Sequence, residues 1–202
     1  MKKKFKYVIG VDEVGRGPLA GPVAVGAVCI YSEYSAKLKK LFPVVRDSKK
    51  LTPKMRDVWS ARVRDAEELG YLSYTVTFVA PSVIDKKGLS YAIRTALKKS
   101  LEAIEHEAVN TKVLLDGGLY APLYYLNQET IIKGDEKELV IALASIVAKV
   151  ARDARLVSLS KKFPEYGFEK HKGYGTRAHY AAIKKNGITP HHRKSFLKGV
   201  VE

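Results

Sequence analysis

The stretch Gly10-Val-Asp-Glu-Val-Gly-Arg-Gly17 sets two acids and a cation in a glycine-rich turn directly behind the apolar run Tyr7, Val8 and Ile9. Such a run reads as a buried strand, so Asp12 and Glu13 fall where the strand ends. Carboxylates at that place are costly to desolvate unless a metal, a cation or hydrogen bonds compensate them. Two further strand-like runs also stop at acids: Lys112 to Leu115 at Asp116-Gly-Gly118, and Glu129 to Lys133 at Gly134-Asp135. Strand ends in an open α/β sheet are the expected address of an active site.

The rest of the chain supplies the layers around those strands. Lys6 to Val11 and Pro22 to Tyr31 read as strands joined through the glycine turn. Thr52-Pro53 gives an N-cap and an N1 proline to a helix running to about Leu69. Tyr71 to Val79, rich in β-branched and aromatic residues, reads as a third strand. Ser90 is placed to cap a helix whose Ile93, Leu97, Leu101 and Ile104 share one face. A helix from about Lys137 to Leu159 follows, and Pro164, Gly167, Gly173, Gly175, Gly187 and Pro190 punctuate a broken helical remainder. This order predicts an α/β fold, a mixed central sheet flanked by helices with a C-terminal helical extension. Residues 1–160 would form the catalytic domain, and 161–202 a basic helical segment that adds to substrate binding.

Composition narrows the function classes. At 202 residues the chain fits one domain, with at most a small appendage. No apolar run approaches the roughly 18 residues of a membrane span; Leu19 to Tyr31 is too short and contains Pro22. Asp12 and Glu13 follow the basic N-terminus too soon for a signal peptide's apolar region. A single cysteine, Cys29, excludes an internal disulfide framework and reads as a small buried hydrophobe, so a cytoplasmic protein is expected. The net charge of +15 suggests a polyanionic partner, most often nucleic acid, with high solubility as the plainer reading. Residues 161–202 hold ten Lys/Arg against three acids, with Phe163, Tyr166, Phe168, Tyr174, Tyr180 and Phe196 interleaved. Phosphate contact plus sugar or base packing requires that mixture.

Four gathered carboxylates would repel one another, and hard divalent cations would remove the conflict. Two such ions can stabilise the attacking and leaving oxygens of a phosphodiester. The competing reading makes each acid a helix cap or the partner of a surface lysine. The glycine turn fails as a P-loop, because Arg16-Gly17 stands where Lys-Ser/Thr is needed, and it misses the dinucleotide spacing. It remains a loop whose amides can approach sugar hydroxyls or phosphate. His171, His179, His191 and His192 lack cysteine partners and any H-E-x-x-H pattern, so helix surface or phosphate contact is expected of them rather than zinc. Tyr174, in Lys172-Gly-Tyr-Gly-Thr176, suits either a presented aromatic or a core one.

Gly10 to Pro22 resembles the opening signature of the ribonuclease HII family. The resemblance continues through Asp47-Ser-Lys-Lys-Leu-Thr52, Leu115-Asp-Gly117, Lys133-Gly-Asp135, Ala144-Ser-Ile-Val-Ala-Lys149 with Arg152-Asp153, and His171-Lys-Gly-Tyr-Gly-Thr176, in the family's order. It implies a ribonuclease H-like fold and an endonuclease that cuts 5′ to ribonucleotides in RNA/DNA hybrids or in duplex DNA, leaving 3′-hydroxyl and 5′-phosphate ends. By motif match Asp12, Glu13, Asp116 and Asp135 would be catalytic and would hold two Mg²⁺ or Mn²⁺ ions, with Asp12 bridging them. Gly15, Arg16 and Gly17 would read the ribose 2′-hydroxyl, Lys49 would lie near a phosphate, and Tyr174 would pack on the neighbouring sugar at an RNA-to-DNA junction. Asp153 is expected to pair with a nearby Lys or Arg instead of a metal.

Many members have Asp-Gly-Asn where this chain has Asp116-Gly117-Gly118. Ribonuclease HIII typically has Gly-Thr-Gly in the first turn and an added N-terminal domain, so type HII is the nearer match. No sliding-clamp-binding tail is visible in Phe196 to Glu202. A monomer with no membrane partner is expected. The alternative is a non-catalytic nucleic-acid-binding protein, which would gain nothing from carboxylates set beside a phosphate.

Overall fold

The computed structural model describes residues 5–43, 51–104 and 107–199. Its strands are β1 (Tyr7–Val14), β2 (Val23–Tyr31), β3 (Leu72–Val79), β4 (Thr111–Asp116) and β5 (Gln128–Ile131). Its helices are α1 (Ser35–Leu41), α2 (Pro53–Glu68), α3 (Pro81–Lys87), α4 (Leu89–Ala103), α5 (Gly134–Lys137), α6 (Leu139–Lys162), α7 (Phe168–His171) and α8 (Arg177–Asn186). The sheet order is β3-β2-β1-β4-β5. The β1–β2 and β2–β3 pairs are antiparallel, and the β1–β4 and β4–β5 pairs are parallel. The expected mixed sheet with helices on both faces is therefore present.

Alternation along the strands divides the core in two. Ile9, Val11, Val25, Val113 and Leu115 pack with Ile93, Leu97 and Leu101 of α4 on one face. Val28, Ile30 and Leu114 pack with α6 and with Trp59 and Val63 of α2 on the other. Two glycines set how closely α6 approaches. A Cβ on Gly10 would lie 2.3 Å from the Val140 carbonyl carbon, and one on Gly26 would lie 2.3 Å from the Ala144 oxygen. Only a bare backbone allows that approach, and the approach holds Ser145 over the end of β1.

Several boundaries differ from the sequence expectation. The β1–β2 ladder continues through Asp12↔Gly26 and Glu13↔Val25 to Val14↔Ala24, so the two acids belong to the strand and not to the turn behind it. Ser90 does not cap α4. Gly88, at φ 85°, separates α3 from α4, and Ser90 sits inside the first turn. Thr52 caps α2 as expected, its hydroxyl accepting from the Met55 amide at 3.3 Å.

The C-terminal segment departs most. Tyr166 and Phe168 are buried with Leu19, Leu156 and Ile183 in a third core, while Tyr174 and Tyr180 remain exposed. His179 and His192 are also fully enclosed, which corrects their placement on a helix surface or at phosphate. Aromatic and imidazole rings close to one another bury apolar area together, and a charge-rich composition conceals that. Cys29 is buried as expected, and burial pushes its thiol up to about 12.

Candidate active site

The parallel register sets the first two acids side by side. Val11 pairs with Leu115, and one residue further Asp12 and Asp116 stand at the carboxyl ends of adjacent strands. Strand alternation turns both towards the α6 face. The Ser145 hydroxyl of α6 hydrogen-bonds the Asp12 carboxyl, and the Glu13 amide donates to Asp12 Oδ1 at 2.7 Å.

The loop after β5 joins them. Lys133 adopts the left-handed conformation (φ 55°), uncommon outside glycine, and so aims the Gly134 amide at Asp116 Oδ1, 2.6 Å away. A Cβ at residue 134 would meet Ile141 Cδ1 at 2.6 Å, so any larger residue would have to displace the end of that side chain. Asp135 follows at once. It is buried, and its charge acts on Asp12.

A cleft of about 480 Å³ opens over these strand ends. Asp12, Glu13 and Asp116 line it together with Ser145; Asp135, buried, is not part of the lining. Gly15, Arg16 and Gly17 form one wall, and Arg56, Lys149 and Tyr174 also border the cleft. Arg16 Nη1 donates to Glu13 Oε1 at 2.8 Å, and no atom of the described residues lies within 4 Å of where a Gly17 Cβ would be. Lys149 Nζ is 2.8 Å from Asp153 Oδ1 and 5.9 Å from the Tyr174 ring centre, so Asp153 has the lysine partner expected of it. Lys49 and most of the Asp47–Thr52 motif lie outside the described residues.

The acids of this cleft stand in electrostatic conflict. Burial pushes the Asp12 carboxyl up to about 8. Glu13, Asp116 and Asp135 push in the same direction, against the Ser145 hydrogen bond. Burial also raises Glu13, and Arg16 opposes that rise. Glu13 Oε2 is buried without a hydrogen-bond donor among the described residues. These are hard oxygen donors, with no thiol or imidazole lining the cleft, and they suit Mg²⁺ or Mn²⁺. Among the described residues no three acidic, histidine or cysteine side chains are gathered tightly enough to cage an ion alone. An ion here would draw remaining ligands from water and from substrate phosphate, as Mg²⁺ usually does.

Two buried arginines that sequence reasoning passed over brace the glycine loop. Arg152 of α6 donates from Nε to Pro22 O (2.9 Å), from Nη1 to Lys172 O (3.1 Å) and from Nη2 to Ala20 O (3.2 Å). Arg193 donates from Nε to Gly21 O (3.1 Å), from Nη1 to Arg16 O (2.8 Å) and from Nη2 to Gly15 O (2.6 Å). Burial lowers both below the ordinary guanidinium value, and the six backbone acceptors compensate the buried charge. Gly15, at φ 92°, has the Arg152 Nε within 2.2 Å of where a Cβ would stand. Arg152, Lys149 and Ser145 fall inside a motif read from the sequence without a role. Arg193 follows two histidines, and nothing in one sequence marks it as buried.

A five-stranded mixed sheet flanked by helices, with acids near the carboxyl ends of its parallel neighbours, is the ribonuclease H-like fold. The solved ribonuclease H2 from Pyrococcus horikoshii OT3 superposes with a TM-score of 0.76 at 25% identity, over 96% of both chains. The RNase HII in the PCNA:RNase HII complex from Archaeoglobus fulgidus gives 0.72 at 26%, over 92% of this chain and 93% of that one. The Ribonuclease HII of Caldicellulosiruptor bescii is 41% identical over 202 residues, all of this chain and 91% of that protein. The ribonuclease HII family model matches residues 9–199. The chain belongs to the ribonuclease HII family: it is a divalent-metal-dependent endoribonuclease (EC 3.1.26.4) that cleaves RNA in RNA/DNA hybrids.

Proposed function

We propose that this enzyme cuts the phosphodiester 5′ to a ribonucleotide, in hybrids and at single ribonucleotides within duplex DNA, leaving 3′-hydroxyl and 5′-phosphate ends. The observation that carries this reading is the pairing of Asp12 with Asp116 on adjacent parallel strands, directly beside the braced Gly15–Gly17 loop. Asp12, Glu13, Asp116 and Asp135 would hold two Mg²⁺ or Mn²⁺ ions. When bound, such ions supply water activation and stabilisation of the departing oxygen.

The chain's own residues do the rest. Ser145 and the Glu13 amide fix the Asp12 carboxyl, and the Gly134 amide fixes that of Asp116. With Arg193 holding the Gly15 and Arg16 carbonyls and Arg152 those of Ala20 and Pro22, the backbone beside Gly17 is left uncovered by the described residues, where a ribose 2′-hydroxyl would be read. Tyr174, exposed, also lines the cleft and would pack on a sugar. Lys149, held by Asp153, offers positive charge to a phosphate.

A purely binding protein would not place buried acids at the floor of a cleft meant for phosphate. Isothermal titration of Mn²⁺ into the wild type and into Asp12→Asn and Asp135→Asn tests the ligand set. Each substitution should weaken binding at least tenfold and abolish cleavage. Wild-type metal affinity in Asp135→Asn would remove that residue from the set.

A further inference from the structure

Beneath the Tyr174 loop lie three histidines whose hydrogen bonds determine where each proton sits. The Thr189 amide donates to His192 Nδ1 at 2.9 Å, so that nitrogen carries a lone pair and the ring proton is on Nε2. His192 Nε2 is 3.1 Å from His179 Nε2, which must then accept. The proton of His179 is left on Nδ1, which donates to the Tyr174 carbonyl at 2.9 Å. A continuous line runs from a backbone amide through two imidazoles to the backbone of Tyr174.

The neighbouring ring completes the mounting. His171 stacks on His179 with centroids 4.4 Å apart and planes 19° from parallel. Its Nδ1 accepts from the Gly173 amide at 3.2 Å, and its Nε2 donates to Tyr166 O at 2.8 Å. The Gly173 carbonyl accepts from the Leu19 and Ala20 amides at 2.8 and 3.2 Å, and Gly173, at φ 83°, leaves no room for a Cβ there. The backbone at Tyr174 is therefore tied to the imidazole line on one side and to the Leu19 and Ala20 amides on the other. Burial lowers His179 and takes His192 down to about 4, so both rings are neutral near pH 7, as the line requires.

We propose that His179 and His192 are positioning residues, whose fixed tautomers hold the Tyr174 backbone so that its ring meets the sugar at an RNA-to-DNA junction. The consequence for substrate choice rests on the reading of Tyr174 given above; the hold on its backbone does not. A hydrophobic core could hold α8 equally well. What it could not do is place a donor under one chosen carbonyl.

Imidazole nitrogen NMR on the wild-type enzyme at pH 7 tests the line without any substitution. The expected signals are an Nδ1–H tautomer for His179 and an Nε2–H tautomer for His192. Reversed tautomers, or a charged ring at either position, overturn the proposal.

Amide exchange at residues 173–176 tests the hold. His179→Leu should speed it at least tenfold. His179→Asn, whose amide nitrogen falls near the position of Nδ1, should recover a large part of the protection. Unchanged exchange in a folded His179→Leu overturns the proposal.

Cleavage of a single-ribonucleotide duplex, set against a long hybrid, tests the consequence. His179→Leu should lose preference for the junction about as much as Tyr174→Ala. The double variant should lose no more than Tyr174→Ala alone, because both changes remove the same placement. Multiplying losses overturn the coupling. A Tyr174→Ala enzyme with unaltered preference overturns the reading of Tyr174, while the exchange data still decide the hold.

Discussion

Replacing Asp12 with asparagine should stabilise the metal-free protein while destroying its activity. The Asp12 carboxyl is held at about 8 in the fold against an ordinary value of 3.8. A carboxyl that keeps its proton longer in the folded state than in the unfolded one costs stability as pH rises, here between about 4 and 8. At pH 7 most of that difference applies, a ceiling of about 4 kcal/mol. Local relaxation and water entry recover part of that, so about 2 kcal/mol is the expected gain, or roughly 4–8 °C in a chain of this size. Asparagine retains an oxygen to accept from Ser145 and from the Glu13 amide, so the surrounding bonds survive. Thermal unfolding in EDTA at pH 7.5 and pH 4.5 reads the effect. The variant should melt higher at pH 7.5, the difference should shrink at pH 4.5, and Mg²⁺ should stabilise the wild type more than the variant. A variant that melts lower at pH 7.5, or a difference independent of pH, would refute the reasoning.

Arg193→Lys should cost about 2–4 kcal/mol, because an ammonium cannot span the Gly15, Arg16 and Gly21 carbonyls that the guanidinium joins. Discrimination between ribose and deoxyribose in the same duplex should fall with it, and a native melting curve with intact discrimination would count against the brace. Gly26→Ala should destabilise by about 1–3 kcal/mol or more and lower activity, since the added methyl presses on the Ala144 carbonyl and displaces the helix that carries Ser145. Denaturant titration beside an initial-rate assay checks both effects. Cys29 should resist a thiol reagent in the native enzyme and react fully once the chain is unfolded, because it is enclosed and its thiol is pushed up to about 12.

The fold was legible where local signals agreed with tertiary packing. Thr52-Pro53 opens a helix by its local chemistry, and the apolar run before Asp116 marks a strand end; the run expected over Glu129 to Lys133 pairs only from Gln128 to Ile131, and Asp135 lies in α5 beyond it. The placement of Asp12 and Glu13 inside β1 was not legible, because the antiparallel partner that extends the strand to Val14 comes from β2. Gly88 carries no visible cap signal, because a serine two residues on is the better local cap. The four acids could be nominated from the sequence, yet their juxtaposition depends on a parallel register that no local pattern encodes. The buried charges were the least visible. Arg152 and Arg193 look like any other basic residue in a chain of +15, and only the backbone carbonyls around them identify their work. The histidines share that history, since a lone sequence does not reveal that His179 and His192 meet nitrogen to nitrogen.

The central claim is that the acids cut and the neighbouring loop chooses ribose. One duplex DNA carrying a single ribonucleotide, compared with its all-deoxy twin, tests both halves at single-nucleotide resolution in Mg²⁺ and in EDTA. The account predicts one incision, 5′ to the ribonucleotide, leaving a 3′-hydroxyl on the upstream product, with no cut in EDTA and none in the all-deoxy duplex. Incision of the all-deoxy duplex, a cut on the other side of the ribonucleotide, or undiminished activity in EDTA would contradict it.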